Sequence, residues 1–324
     1  MTLLGGLNQE RIVFAISVLL FIGFSAALPG FLSSGNILSL IQNVSILGIL
    51  GTGMAIGIIG RGIDLSMVST MVISVAWMLV MVNGGMNLWL AVALALGFAV
   101  AVGIINGILI AYVEIPAIFA TLAMGIVIYG FGKSFLIGTD VVYLPTGDSW
   151  FYRIGSGQVL GIPNPVIAFA LVAIAAHVFL HFTKYGRFNY GIGDNLATAR
   201  ITGIPVRPVM VLQYVLIAVI ALIAGVVVAT AVSSMNTRLA LSTQVYDVIL
   251  VVVLGGIGLS GGKGGVRNVI VGTLLIGILL NGMTIMNMSY TAQNIFKSMI
   301  LLAAIVIDTM LNPRDEQTAQ HGDI

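Results

Sequence analysis

The chain has 324 residues, of which 59% are hydrophobic and only 7% charged, and its mean hydropathy is +1.13. A soluble domain carries roughly 25% charged residues, so a water-soluble fold is excluded and a polytopic helical membrane protein is expected. The net charge of +2 is small and says nothing about nucleic acid; the lack of cysteine excludes disulfides and thiolate metal sites, and three scattered histidines argue against a metal centre.

A bilayer core of about 30 Å needs about 20 apolar residues per helix. The short polar start, MTLLGGLNQER, leads into an apolar run with no small-residue cleavage site before Pro29. That run is expected to be a retained span and not a signal peptide. Runs separated by Gly, Asn, Pro or charge predict spans at 12–29, 37–59, 65–83, 88–111, 116–136, 164–182, 208–232, 245–259, 268–282 and 294–311. The eighth and ninth are short, which suggests broken or tilted elements. The expected fold is all-α: a polytopic transmembrane helix bundle of about ten spans, forming one domain over 1–324.

Between the second and third predicted spans stands GRGIDLSM, with Arg61, Asp64 and Ser66 between two apolar runs. Charges at membrane depth are expensive and face a cavity or a partner. If the segment is helical, Arg61 and Asp64 fall at i, i+3 and pair on one face. The alternatives are a simple turn with Asp64 as helix N-cap, or a Gly-interrupted helix pointing at a transport pathway. Gly53–Gly57 and Gly103–Gly107 match the small-xxx-small spacing that brings helix backbones together. Asn43, Asn106, Gln213, Asn281 and Asn287 lie in or near apolar runs and suit hydrogen bonds across helices or a path for a polar neutral solute. Only Asp64, Glu114 and Asp247 are candidates for buried carboxylate relays, which argues against coupling to an ion gradient.

The segment 137–163 is long, polar, aromatic and Gly-rich. It reads as a lid of short helices on the outer face or as a docking surface. Segment 184–207, KYGRFNYGIGDNLATARITGIPVR, carries four of the thirteen Lys/Arg residues. Within it, Asn195 suits an N-cap and Gly203, before Pro205, a helix stop. The second Gly-rich stretch, VVLGGIGLSGGKGG (252–265), is not a phosphate loop. Gly258 and Gly262 stand four apart where five are required, and Gly264 replaces the hydroxyl that would hold magnesium. It reads as a flexible turn. Ten spans put both termini on one side, and the positive-inside rule places them in the cytoplasm. Arg11, Lys184, Arg187, Arg200, Arg207, Lys263, Arg267 and Arg314 are then inside, and Lys133, Arg153, Arg238 and Lys297 outside.

GIDLS (62–66), GDNLATARITGI (193–204) and VVLGGIGLSGGKGG occur in the order seen in bacterial ABC sugar-importer permeases. The chain resembles the ribose/xylose/rhamnose type over essentially its full length, including LGIPNPV (160–166) and a final span ending in Asp308. The resemblance implies a non-enzymatic inner-membrane subunit, expected as a homodimer. Its partners would be a cytoplasmic ABC ATPase that uses ATP and a periplasmic sugar-binding protein. No cofactor or metal is expected in this chain itself. The resemblance further assigns Asp194, Asn195, Ala199, Arg200, Gly203 and Ile204 to a coupling element against the ATPase. Leu196 departs from the Glu that relatives often carry there, and Arg61 stands where many have a small or polar residue. Asn43, Asp64, Ser66 and Asn106 are the expected polar lining of a pathway for a monosaccharide or similar neutral polyol. The alternative is an ion-coupled secondary carrier.

Overall fold

The computed structural model describes residues 9–145 and 150–311. Arg314, counted above among the inner cations, lies outside the described residues, as do residues 1–8, 146–149 and the side chain of Asp308. Ten helices fall on the ten apolar runs: α1 Gln9–Ala27, α2 Ser34–Ile59, α3 Met67–Asn83, α4 Leu88–Ala111, α5 Ala117–Phe131, α6 Asn164–Phe182, α9 Val206–Ala231, α10 Gln244–Leu254, α11 Val266–Ile285 and α12 Tyr290–Leu311. Two more, α7 Lys184–Asp194 and α8 Leu196–Ile201, occupy the basic segment. A π-helical turn, Gly132–Ile137, prolongs α5.

Among the described residues, seven helices are long and apolar enough to cross a membrane: α1, α2, α4, α5 with its extension, α6, α9 and α11. The apolar stretches of α3, α10 and α12 are shorter. At 1.5 Å per residue the 11 residues of α10 reach only roughly 17 Å, about half the hydrocarbon core. The ninth run, expected to be short, is instead a 20-residue helix. Its polar ends are satisfied without breaking it. Asn268 Nδ2 donates to Gly255 O at 2.8 Å, and Asn281 exchanges amide bonds with Asn36 at 2.8 and 3.0 Å.

The core is built around α9, which packs on α2, α3 and α4. Gly103 and Gly107 explain the closeness of α4 to α9: a Cβ at either would stand 2.6 Å from the Cα of Val215 or Val211. Backbone cannot yield there as a side chain could, so the spacing serves packing.

The described residues of segment 137–163 do not form the expected lid of short helices. The segment holds strand β1 (Val141–Tyr143), a 3₁₀ turn (Trp150–Arg153) and the short hairpin β2–β3 (Gln158–Val159, Ile162–Pro163). Gly138, at φ +77°, ends the π turn, and β1 then pairs antiparallel with β4 (Ser234–Asn236), Val141 opposite Asn236. Trp89 and Trp150 meet at this end, with ring centroids 5.7 Å apart. Asp140 fastens the ribbon. Its carboxylate pairs with Lys133 and with Arg238 (2.7 Å), and its carbonyl accepts from Thr237 N at 2.7 Å.

The Lys133 hydrogen bond, then Arg238, holds the Asp140 carboxyl below its ordinary value. A lowered folded pKa gives stability that is present above the unfolded pKa of about 4 and lost as pH falls through the folded value. Asp140→Asn should therefore melt below wild type at pH 7, and the gap between the two melting temperatures should narrow as pH falls below about 4 and through the folded pKa. A gap that did not narrow with falling pH would assign the effect to packing.

Candidate functional site

Helix α2 ends inside the protein, and an ending helix leaves its last four carbonyls without helical partners. Here other elements supply them. Asn189 Nδ2, from α7, donates to Ile56 O at 2.9 Å, and Gln213 Nε2, from α9, donates to Gly57 O at 2.8 Å. Arg61 N returns to Ile58 O at 3.0 Å, and Gly262 N, from the turn after α10, reaches Ile59 O at 2.8 Å. The end of α2 is thus the meeting point of α7, α9 and the Gly-rich turn.

Arg61 closes the junction. Its backbone lies at φ +63°, a conformation that favours glycine. The Nε–H points to Gly193 O (2.8 Å) and Ser260 O (3.0 Å), and Nη2 donates to Asp194 O (3.1 Å). Gly193 and Asp194 are the last residues of α7, so the guanidinium also sits at a helix C-terminus, where positive charge is favoured. The backbones touch beneath it. A Cβ on Gly262 would stand 2.8 Å from Asp194 Cα, and one on Gly193 would overlap Ile59 O. Tyr190 adds a hydrogen bond to Gly264 O at 2.7 Å. The three sequence motifs, far apart in the chain, therefore form one joint.

The i, i+3 pair of Arg61 and Asp64 does not form, because the segment is a turn and not a helix. Asp64 is buried and accepts from Ser66 N (2.9 Å) and Ser66 Oγ (2.5 Å); Ser66 Oγ in turn accepts from Asn106 Nδ2 (2.8 Å). Thr121, from α5, holds the same loop through Leu65 N and Ile63 O, at 3.0 and 3.2 Å. Asp64 is not the N-cap of α3, which begins after Ser66. Of the four expected lining residues, Asp64, Ser66 and Asn106 are brought together. Asn43 stands apart on an exposed face of α2, roughly 26 Å along the helix from Gly60.

The expected coupling element also divides. Asn195 caps α8, accepting from Thr198 N at 2.9 Å. Gly203, at φ +79°, stops it. Ala199 is buried against Ile192, Val206 and Val209, and Ile204 packs on the same cluster. Asp194, Arg200 and Gly203 are exposed. Arg200 and Arg207 flank Glu114, from the α4–α5 loop, at 3.7 and 3.4 Å. Leu196 packs on the buried cluster, so its side chain is spent on holding α8 down. Sequence reading missed Ile201, 87% exposed at the tip of α8 beside exposed Ala197 and Thr198. It also missed Asn189, which lies outside the apolar runs, whereas Gln213, expected to bond across helices or to line a solute path, takes the first role at Gly57 O. Only the register of α7 and α9 shows that these two amides meet at the end of α2.

A sequence model of a family described as branched-chain amino acid transport system / permease component matches residues 36–307. Among curated proteins, the chain is 32% identical over 306 residues to the ribose import permease protein of Escherichia coli K12, covering 93% of this chain and 94% of that protein. It is 34% identical over 303 residues to the ribose import permease protein of Bacillus subtilis 168, covering 94% of each. It is 31% identical over 299 residues to the L-arabinose transport system permease protein of Escherichia coli K12, covering 92% of this chain and 88% of that protein. No solved structure matches.

Proposed function

The chain belongs to the branched-chain amino acid transport system / permease component family, and from that premise we propose that it is the membrane-spanning permease subunit of an ATP-driven sugar importer. The observation that carries this reading is the near full-length similarity to ribose and L-arabinose permeases. The solute is a monosaccharide or similar neutral polyol delivered by an extracytoplasmic binding protein. ATP is hydrolysed by a partner ATPase, and the chain works in the inner membrane as one of two identical copies. Ten crossings with both termini in the cytoplasm fit the partition of charge. Glu10–Arg267, the Arg61 joint and the Glu114 cluster share one end, and Lys133, Asp140 and Arg238 lie at the other.

In this reading segment 184–207 is the cytoplasmic coupling loop. The exposed residues Asp194, Arg200, Ile201 and Gly203 meet the ATPase, while Asn195, Ala199 and Ile204 hold the element in shape. The joint at Arg61 ties that loop to the break between α2 and α3, so a push on α8 reaches the centre of the bundle as a rigid displacement. Asn43 lines the solute path, and Asp64, Ser66 and Asn106 set the shape of the break beside it. The secondary-carrier reading finds less support. Asp64 is engaged by Ser66, Glu114 is exposed beside two arginines, and Asp247 is paired with Lys297.

Reconstitution of the chain with its ATPase and binding protein in proteoliposomes tests the proposal. Uptake of pentoses or hexoses should require ATP and both partners. Uptake by the permease alone under an ion gradient, or of leucine and no sugar, would overturn it.

A further inference from the structure

A cavity of about 350 Å³ lies between α10 and α12, toward the end of the bundle that carries the β1–β4 ribbon. Its size is within the roughly 300–1,000 Å³ of small-molecule sites. Asp247, in the first turn of α10, and Lys297, in the second turn of α12, line it. Lys297 Nζ lies 2.8 Å from one Asp247 oxygen and 2.9 Å from the other, and the two side chains are only 14% and 8% exposed. Thr243 extends the polar wall. Its Oγ1 is 2.9 Å from Tyr290 OH and 3.2 Å from Asn294 Oδ1. Leu250 and Leu301 contribute apolar lining.

A buried ion pair is a poor stabiliser: replacing both partners by apolar residues is often neutral or favourable. An ion pair that lines a cavity has its charged groups already placed to hydrogen-bond a ligand. The wall is also electrically balanced. One carboxylate, one ammonium, a hydroxyl and an amide can accept from and donate to neighbouring hydroxyls on a neutral molecule. A free cation or anion would face an opposing charge at once. The half-exposed Tyr246 ring offers an apolar surface at the rim.

We propose that the α10–α12 cavity is a binding subsite for a neutral polyhydroxylated solute, with Asp247, Lys297, Thr243 and Asn294 as its hydrogen-bonding residues. This rests on the importer reading and deepens it. The solute enters at the outer ends of α10 and α12 and is met there before it reaches the break between α2 and α3.

The chain has no cysteine, so an introduced thiol is the single one on this polypeptide, and its modification is read on the permease band after the subunits are separated. Ser298, exposed on the cavity wall, is the place for it. In the assembled transporter carrying Ser298→Cys, D-ribose or L-arabinose, raised until protection levels off, should slow modification by a water-soluble thiol reagent about tenfold, the effect of about nine-tenths occupancy. Leucine should not slow it. The double variant Asp247→Leu/Lys297→Met should assemble and melt like wild type yet lose uptake by about tenfold or more. Thr243→Val should raise the KM for the same sugar with little change in kcat. Unchanged labelling with a sugar that wild type carries, or full uptake by the double variant, overturns the subsite and leaves the importer intact. If wild type carries no sugar with its partners present, the importer reading falls and takes the ligand class of this cavity with it.

Discussion

Replacing Arg61 with alanine should cut sugar uptake by about tenfold to a hundredfold while the assembled transporter continues to hydrolyse ATP. The side chain makes the only described bonds that reach Gly193, Asp194 and Ser260 together, three carbonyls on two different segments. Hydrogen bonds from a charged donor contribute about 1.5–3 kcal/mol each. Coupling free energies of about 1–3 kcal/mol correspond to roughly 5–150-fold, so losing the fork removes enough to weaken transmission from α7–α8 to the end of α2, although Asn189 still holds α7 to Ile56 O. Arg61→Lys keeps the charge but not the fork, so it should restore only part of the uptake. Arg61→Gly separates the side chain from the backbone. At φ +63° glycine is the residue best suited to the turn, so this variant should fold at least as well as alanine there. Sugar transported per ATP hydrolysed is the measurement. A ratio equal to wild type in Arg61→Gly would show that coupling runs through another contact.

The joint illustrates which parts of this molecule the sequence could show. Each apolar run became one helix, because hydropathy over a span-length window is decided locally and the bilayer sets the length. The three motifs were visible as Gly-rich or polar interruptions, yet nothing in their spacing said that they meet. Their meeting depends on Gly193 and Gly262, where the absence of Cβ lets backbone reach backbone. Helix α7 was also hidden. Its sequence, KYGRFNYGIGD, holds three glycines, which weaken a helix by about 1 kcal/mol each relative to Ala. Tertiary packing outweighs that cost. Gly186 lies against the α6 backbone, Gly193 lies against α2, and Asn189 is buried as a cap for Ile56. The lid of helices expected for segment 137–163 differs from the structure for the opposite reason. The glycines and aromatics of that segment suit several local structures, and β1 became a strand because β4, nearly a hundred residues later, lies beside it.

The polar residues near the break give the second large effect, and here stability and transport point to different residues. Asp64→Ala should lower stability by about 3 kcal/mol or more, because it leaves Ser66 N and Ser66 Oγ without their acceptor in a buried site, at about 1–3 kcal/mol for each unsatisfied group. Asn106→Ala removes one donor and, with it, a buried amide oxygen that has no partner among the described residues. Its cost should be smaller, about 1–2 kcal/mol. Asn43→Ala, on an exposed face, should cost little, since surface changes stay within about 0.5 kcal/mol. Denaturant midpoints of the purified permease should therefore fall in the order Asp64→Ala, Asn106→Ala, Asn43→Ala. Uptake normalised to folded complex should follow a different order. If the trio holds the loop in shape, the KM for sugar in Asn106→Ala stays at the wild-type value and only the folded fraction drops. If Asn43 touches the solute, its KM rises with the midpoint unchanged. A raised KM in Asn106→Ala at full stability would move the solute path into the trio. An unchanged KM in Asn43→Ala would remove that residue from the path, because an exposed amide on an apolar helix has no packing role through which to act.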